Sequence, residues 1–330
     1  MSESAAVTPP DGRLRSWRKR VRRRWKHKPG AVPWLLWQPQ RALLFLVGLL
    51  PVRAQLACAD RLARVAWWSP RRRRTGRLQI AQALPHLAPG QRDRILRASC
   101  GHLGRAAIEV MSVAQRFGPR LAERVVFEPG ARATLDALRG RPLIAVQPHL
   151  GSVDLGGAGL AIAGLHPAFP MRLPTNWYLA QRMIRAREGY GVKLLPRQGA
   201  LRGLLAHLKS GGCAVLATDQ NAHHAPIFVD WFGKAAATER AAAALALRAG
   251  TPVLVFWCIR EREPGRWRIG CALVRAAAAP ALADDDAVRD LTLRMHREME
   301  RAILRCPEQY LWIHDRYRTR PAGEIGVARA

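Results

Sequence analysis

Acidic side chains are scarce in this 330-residue chain: Asp and Glu number 24 against 54 Lys and Arg, a formal charge of +30. That imbalance excludes a neutral surface and calls for an anionic partner, whether nucleic acid, an anionic membrane or an acidic protein. Lysine is rarer still, at six residues, so arginine carries the positive field. The six cysteines (Cys58, Cys100, Cys213, Cys258, Cys271 and Cys306) are scattered, with no CxxC pair and no His at zinc spacing. A disulfide scaffold and a zinc site are thereby excluded, buried free thiols are expected, and no metal is indicated. There is no G-x-x-x-x-G-K-[ST] string, so no nucleotide cofactor is indicated either, and no G-x-S-x-G nucleophile elbow. The most hydrophobic run, residues 42–52, lies between Arg41 and Arg53 and is well short of the ~20 residues that a spanning helix needs.

What is present begins with a basic N-terminus. Residues 13–28 hold Arg18, Lys19, Arg20, Arg22, Arg23, Arg24 and Lys26, interleaved with Trp17, Val21 and Trp25. The last three are four apart, so a helix would align them in one stripe, as at a membrane interface; a solvated basic tail is the plainer alternative. Residues 42–52 then read as a short helix pushed into one leaflet, or as an ordinary buried helix. A cleaved leader is not expected, because the apolar run starts beyond residue 30 and no small-residue cleavage site follows it. The chain therefore divides into a basic tail (1–30), a hydrophobic membrane-associating segment (31–53), a main domain (54–322) and a C-terminal tail (323–330).

From residue 54 to about 138 the apolar spacing is helical, with Pro85 and Pro89-Gly90 as punctuation and a second basic cluster at Arg71, Arg72, Arg73, Arg74 and Arg77. Beyond 140, short apolar runs at 143–146, 192–195, 214–217, 253–259 and 267–273 alternate with helical patterns. That alternation predicts an α/β fold, a mixed and mainly parallel sheet flanked by helices, preceded by an N-terminal helical membrane-anchoring segment.

Residues 143–146 read as a buried strand that Pro148 ends, and a small-residue helix begins near Leu155. His149 and Asp154 thus fall on the strand-to-helix turn. A turn can fold the carboxylate back onto the imidazole, which two residues five apart on a regular helix could not do. A His held by a carboxylate at a strand's C-terminal edge is what a general base requires; the bland alternative is a capping Asp near an unrelated His.

Other segments share a pattern with this one. His149 to Asp154 resembles the H-x4-D/E signature of the lysophospholipid acyltransferase superfamily, Phe169-Pro-Met-Arg172 resembles its F-x-x-R block, and Gly250-Thr-Pro252 resembles a later block around a proline. Within that superfamily the chain is similar to bacterial lipid A late acyltransferases. That likeness rests on Leu84-Pro85, His102-Leu-Gly-Arg105, Asn176 with Arg187 and Gly191, Thr218-Asp-Gln-Asn221, Phe232-Gly-Lys234 with Thr238, and Pro307 to Trp312 leading to Tyr317-Arg-Thr-Arg-Pro321. Many members carry Trp-Glu where Val153-Asp154 stands here, although an Asp form also occurs.

The resemblance implies transfer of a fatty acyl group from an acyl-carrier-protein thioester to a hydroxyl of a lipid A precursor, at the cytoplasmic face of a bacterial inner membrane. His149 would be the base and Asp154 its orienting partner, with backbone N–H groups of the 151–154 turn holding the oxyanion. The planar fork of Arg172 suits an acceptor phosphate; Asn176 and Arg187 would line the head-group site or a solvated helix face. Asp219 and Gln220 follow an apolar strand, at the edge where open α/β sheets bind ligands. His223-His224 reads as a loop feature, and Trp231, Phe232, Trp257 and Trp312 as core more than acyl groove. Two alternatives stand beside this reading: acylation of another phospholipid or glycolipid, and, from a different class, a basic nucleic-acid-binding protein, which no RNP or zinc-finger string supports.

Overall fold

The computed structural model describes residues 25–275 and 284–321. Among the described residues the first long helices are α1 (Ala31–Leu49), α2 (Val52–Ala63), α3 (Pro70–Ala83) and α4 (Pro89–Ile108). Pro70 and Pro89 open α3 and α4, at the position where a missing N–H is no loss. The chain then alternates: β1 (Val125–Phe127), α5 (Ala131–Ala137), β2 (Leu143–Gln147), α6 (Val153–Ile162), β3 (Pro167–Met171), α7 (Trp177–Glu188), β4 (Lys193–Pro196), α8 (Ala200–Lys209) and β5 (Cys213–Ala217). A hairpin of β6 (Ile227–Trp231) and β7 (Lys234–Thr238) precedes α9 (Ala241–Ala249), β8 (Val253–Arg260), β9 (Trp267–Val274) and α10 (Asp285–Arg305).

Seven strands form one sheet in the order β1-β9-β8-β2-β5-β3-β4, and β6 with β7 forms a separate ribbon. Every pairing in the large sheet is parallel except β8 with β9. The predicted mixed, mainly parallel sheet flanked by helices is therefore present. Its centre is β2, buried along its whole length. Ile144 and Val146 enter a cluster with Trp231, Trp257, Met295 and Trp312 on one face, while Leu143 and Ala145 pack with Leu155, Leu160 and Phe256 on the other. Side chains alternate across a strand, so this two-faced burial requires helices on both sides.

Four strands, β1, β3, β6 and β7, lie outside the apolar runs read from the sequence. β1 has three residues, too few to show alternation; β3 contains two prolines; and β6–β7 turns through Phe232 and Gly233, both at positive φ, without the Asn-Gly signal that usually marks such a hairpin. Among the cysteines, Cys100, Cys213 and Cys258 are buried as expected, whereas Cys58 is exposed; all six are free.

The N-terminal segment is helical, in two pieces. Residues 31–53 do not form one element: α1 runs to Leu49, the chain turns at Leu50-Pro51, and α2 begins at Val52. Among the described residues no helix is long and apolar enough to cross a membrane. The body of the protein grips α1 at both ends, through Asn176 Nδ2 donating to the Pro33 carbonyl (2.8 Å) and Arg116 donating to the Leu50 carbonyl (2.9 Å). Most of the basic stretch 13–28 lies outside the described residues.

Candidate active site

The strands β2 and β5 are parallel neighbours, with Gln147 opposite Ala217. Two residues beyond each of these stand His149 and Asp219. Nδ1 of His149 is 2.8 Å from Oδ1 of Asp219, and the His149 backbone N–H donates to Oδ2 at 2.7 Å. One carboxylate therefore holds both the ring and the backbone of the histidine. Burial disfavours the imidazolium, but the Asp219 charge and hydrogen bond outweigh it and raise the His149 pKa. Conversely, burial alone would raise the Asp219 pKa; the His149 ring, its N–H and the nearby Arg316 lower it instead. On the far side of the ring, Gln220 Nε2 lies 3.1 Å from His149 Nε2. With Nδ1–H directed at the carboxylate, Nε2 carries the lone pair and accepts the Gln220 amide proton.

Asp154 does not play the part expected of it. It sits in the first turn of α6 and forms a two-point ion pair with Arg187 of α7, at 2.6 and 2.9 Å. Its field is the smallest of those acting on His149. The geometric reason is that the α6 turn carries Asp154 towards α7, while strand pairing brings Asp219 to the ring. Arg187 is correspondingly buried and committed to Asp154 and to the Met183 carbonyl, not open to a head group. The Asn176 side chain is likewise engaged, accepting from the Tyr178 and Leu179 amides as the cap of α7. Arg172 is exposed at the C-terminal end of β3, two strands from β2.

The turn after β2 is stapled on two sides. Gly151 N–H donates to the Gln309 carbonyl (2.9 Å), Ser152 N–H to the Cys258 carbonyl (2.8 Å), and Leu311 N–H to the His149 carbonyl (3.2 Å). Gly151 has φ of 62°, and a Cβ there would lie 2.0 Å from the Cys258 carbonyl oxygen, so only glycine fits. Two of the turn amides expected to form an oxyanion hole are thus already spent on protein carbonyls. Behind the turn, β8 is held by a buried pair: Arg260 makes two bonds to Glu109, at 2.7 and 2.8 Å, and Glu109 also accepts from Trp267.

Sequence reasoning passed over the tail as part of the site. Tyr310 is buried, and burial together with the Asp219 charge keeps its hydroxyl protonated. His314 Nε2 accepts the Asn221 N–H at 3.0 Å, and burial lowers its pKa, leaving it neutral. The buried Arg316 bonds the Ala237 carbonyl and Thr238. The run from Pro307 to Trp312 was the available signal, but nothing local relates it to residue 149. Trp231, Trp257 and Trp312 are core residues, as read from the sequence.

A family model described as bacterial lipid A biosynthesis acyltransferase matches residues 28–319. The chain is 23% identical over 284 residues to a lipid A biosynthesis acyltransferase of Haemophilus influenzae, covering 85% of this chain and 87% of the other. It is 24% identical over 261 residues to the lipid A biosynthesis palmitoleoyltransferase of Escherichia coli, covering 78% and 82%. Against that organism's lipid A biosynthesis lauroyltransferase it is 24% identical over 298 residues, covering 88% and 93%.

Proposed function

Since this chain belongs to the bacterial lipid A biosynthesis acyltransferase family and is an acyltransferase, we propose that it moves a fatty acyl chain from an acyl-carrier-protein thioester to a hydroxyl of a lipid A precursor, with His149 as general base. The observation that carries the mechanism is the 2.8 Å contact between His149 and Asp219. Asp219 fixes the tautomer that leaves the Nε2 lone pair free and stabilises the imidazolium as it forms. The acceptor hydroxyl displaces the Gln220 amide from Nε2. As Nε2 removes its proton, the oxygen attacks the thioester carbonyl; the C–O bond forms, the C–S bond breaks, and the leaving thiolate takes the proton back. No acyl-enzyme is required, and the base contributes about 10²–10⁴ in rate. In this reading Asp154 and Arg187 hold α6 against α7, and Arg172 stays exposed at the same edge of the sheet for a charged head group.

The membrane contact is assigned to α1. Val32, Trp34, Leu35, Leu36, Leu43, Phe45, Leu46 and Leu49 are all exposed on this one helix, an apolar patch of the kind that marks an interaction surface. Lying in one leaflet, it would place the protein at the cytoplasmic face of the inner membrane, and the +30 charge suits both anionic lipid and an acidic carrier protein. Mass spectrometry of lipid A from cells with the protein, without it, and with only the His149→Ala form tests the reading. An acyl chain present in the first case alone is the expected result; identical lipid A in all three overturns it.

A further inference from the structure

Two cavities lie along the tail segment of Leu311, Ile313 and His314. The first, of about 290 Å³, is polar: Arg71, Arg72 and Arg318 line it together with Thr75 and His223, and Asp315 is its one acid. All three arginines are exposed, and their side chains make no hydrogen bond or ion pair among the described residues, so the guanidinium groups are open to a ligand. The second, of about 660 Å³, is apolar, walled by Leu62, Val65, Leu103, Leu311 and Ile313. The two share Arg72, Ile313 and His314, so they are adjoining halves of one depression. Its inner edge is bonded to the segments that carry the catalytic pair: Leu311 N–H donates to the His149 carbonyl, and His314 accepts from Asn221, the second residue after Asp219. Its outer edge is apolar surface: Leu62, Val65 and the nearby Trp68 are 71%, 64% and 78% exposed.

Building on the acyltransferase reading, we infer that this depression is the acceptor site, with Arg71, Arg72 and Arg318 binding a phosphate of the acceptor and the groove of Leu62, Val65, Leu103 and Ile313 taking one of its acyl chains. The volumes fall in the range of ligand pockets, and uncompensated guanidinium groups match the charge and fork geometry of phosphate. The side-by-side placement selects the occupant. In a phosphorylated glycolipid, phosphate and acyl chain leave the same sugar core; in a pantetheine thioester the whole arm separates them. The exposed Leu62, Val65 and Trp68 give a lipid chain a path from the bilayer into the groove without crossing polar surface.

The test is steady-state kinetics in detergent on the double variant Arg71→Gln/Arg318→Gln, using a phosphorylated lipid A precursor and the same precursor after enzymatic dephosphorylation. Losing charge-assisted bonds predicts an acceptor KM about tenfold higher or more for the phosphorylated form, no change for the dephosphorylated form, and an unchanged KM for the acyl carrier thioester. Arg248→Gln, which removes one charge from an exposed turn of α9, leaves all three constants alone. Equal effects on both acceptors, a shift confined to the donor KM, or no shift overturns the assignment while leaving the acyltransferase reading intact. Should the wild type transfer to neither acceptor, that reading fails instead, and binding of the phosphorylated precursor in detergent micelles decides the site: weakened binding by the double variant sustains it, equal binding removes it.

Discussion

The two oxygens of Asp219 hold His149 by its Nδ1 at 2.8 Å and by its backbone N–H at 2.7 Å. A two-point grip of this kind stops the ring from rotating and fixes which nitrogen faces the substrate. Both partners stand two residues past the end of paired parallel strands, so the sheet itself sets the geometry.

His149→Ala is expected to lower kcat by about 10² or more while the fold is retained, because the side chain is 27% exposed and Asp219 keeps its bond to the backbone N–H of residue 149. Turnover by purified protein, with circular dichroism as the check on folding, measures it; near-normal activity would remove His149 from the mechanism.

The two aspartates should separate cleanly. Asp219→Asn loses activity by about 10²–10⁴, since the amide cannot stabilise the imidazolium. Asp154→Asn acts on stability instead, by about 2–3 kcal/mol, because it leaves the buried Arg187 without its counter-charge. Urea unfolding and kcat measured side by side distinguish the effects, and a variant pattern with the roles exchanged would restore Asp154 as the orienting group.

The rate and the stability of the pair respond to pH in opposite directions. The His149 pKa is raised above the ordinary 6.5, so kcat/KM should climb with pH through an apparent value above 6.5 as the base loses its proton. A raised folded-state pKa also means that the stabilisation from the charged pair is complete below 6.5 and is lost as pH rises through the folded value. The Asp219 pKa is lowered below 3.8, so its contribution is present above 3.8 and lost on further acidification. The difference in melting temperature between wild type and Asp219→Asn should therefore shrink over the alkaline range in which wild-type activity grows. A pH-independent difference would contradict the pairing.

Gly151→Ala is expected to destabilise the protein by more than about 2 kcal/mol and to abolish turnover. The cost combines a left-handed backbone with overlap against the Cys258 carbonyl. Gly90→Ala, where nothing lies within 4 Å of the added carbon, is the control and should be neutral or slightly stabilising.

Replacing Leu36 and Phe45 of α1 by Glu should move the protein from the membrane pellet towards the supernatant, leaving activity on detergent-dispersed acceptor within about twofold. Both side chains are more than 60% exposed and contribute little to the core. Unchanged pelleting would shift the membrane contact to the surface around Leu62, Val65 and Trp68.

The sequence by itself determined the architecture, because apolar runs such as 143–146 and 253–259 are too uniformly hydrophobic to face water on either side and so demand helices on both faces of a largely parallel sheet. It also placed His149 at the C-terminal edge of its strand, where Pro148 ends regular pairing, and put Trp231, Trp257 and Trp312 in the core. Only the tertiary structure decided which carboxylate meets the histidine. Asp154 is five residues from His149 and was the natural choice; Asp219 is seventy residues away. The intervening crossovers return the chain so that β5 lies beside β2 in register, and register carries its side chains to the ring. Strand order is a property of how whole layers pack, and spacing along the chain contains no measure of it.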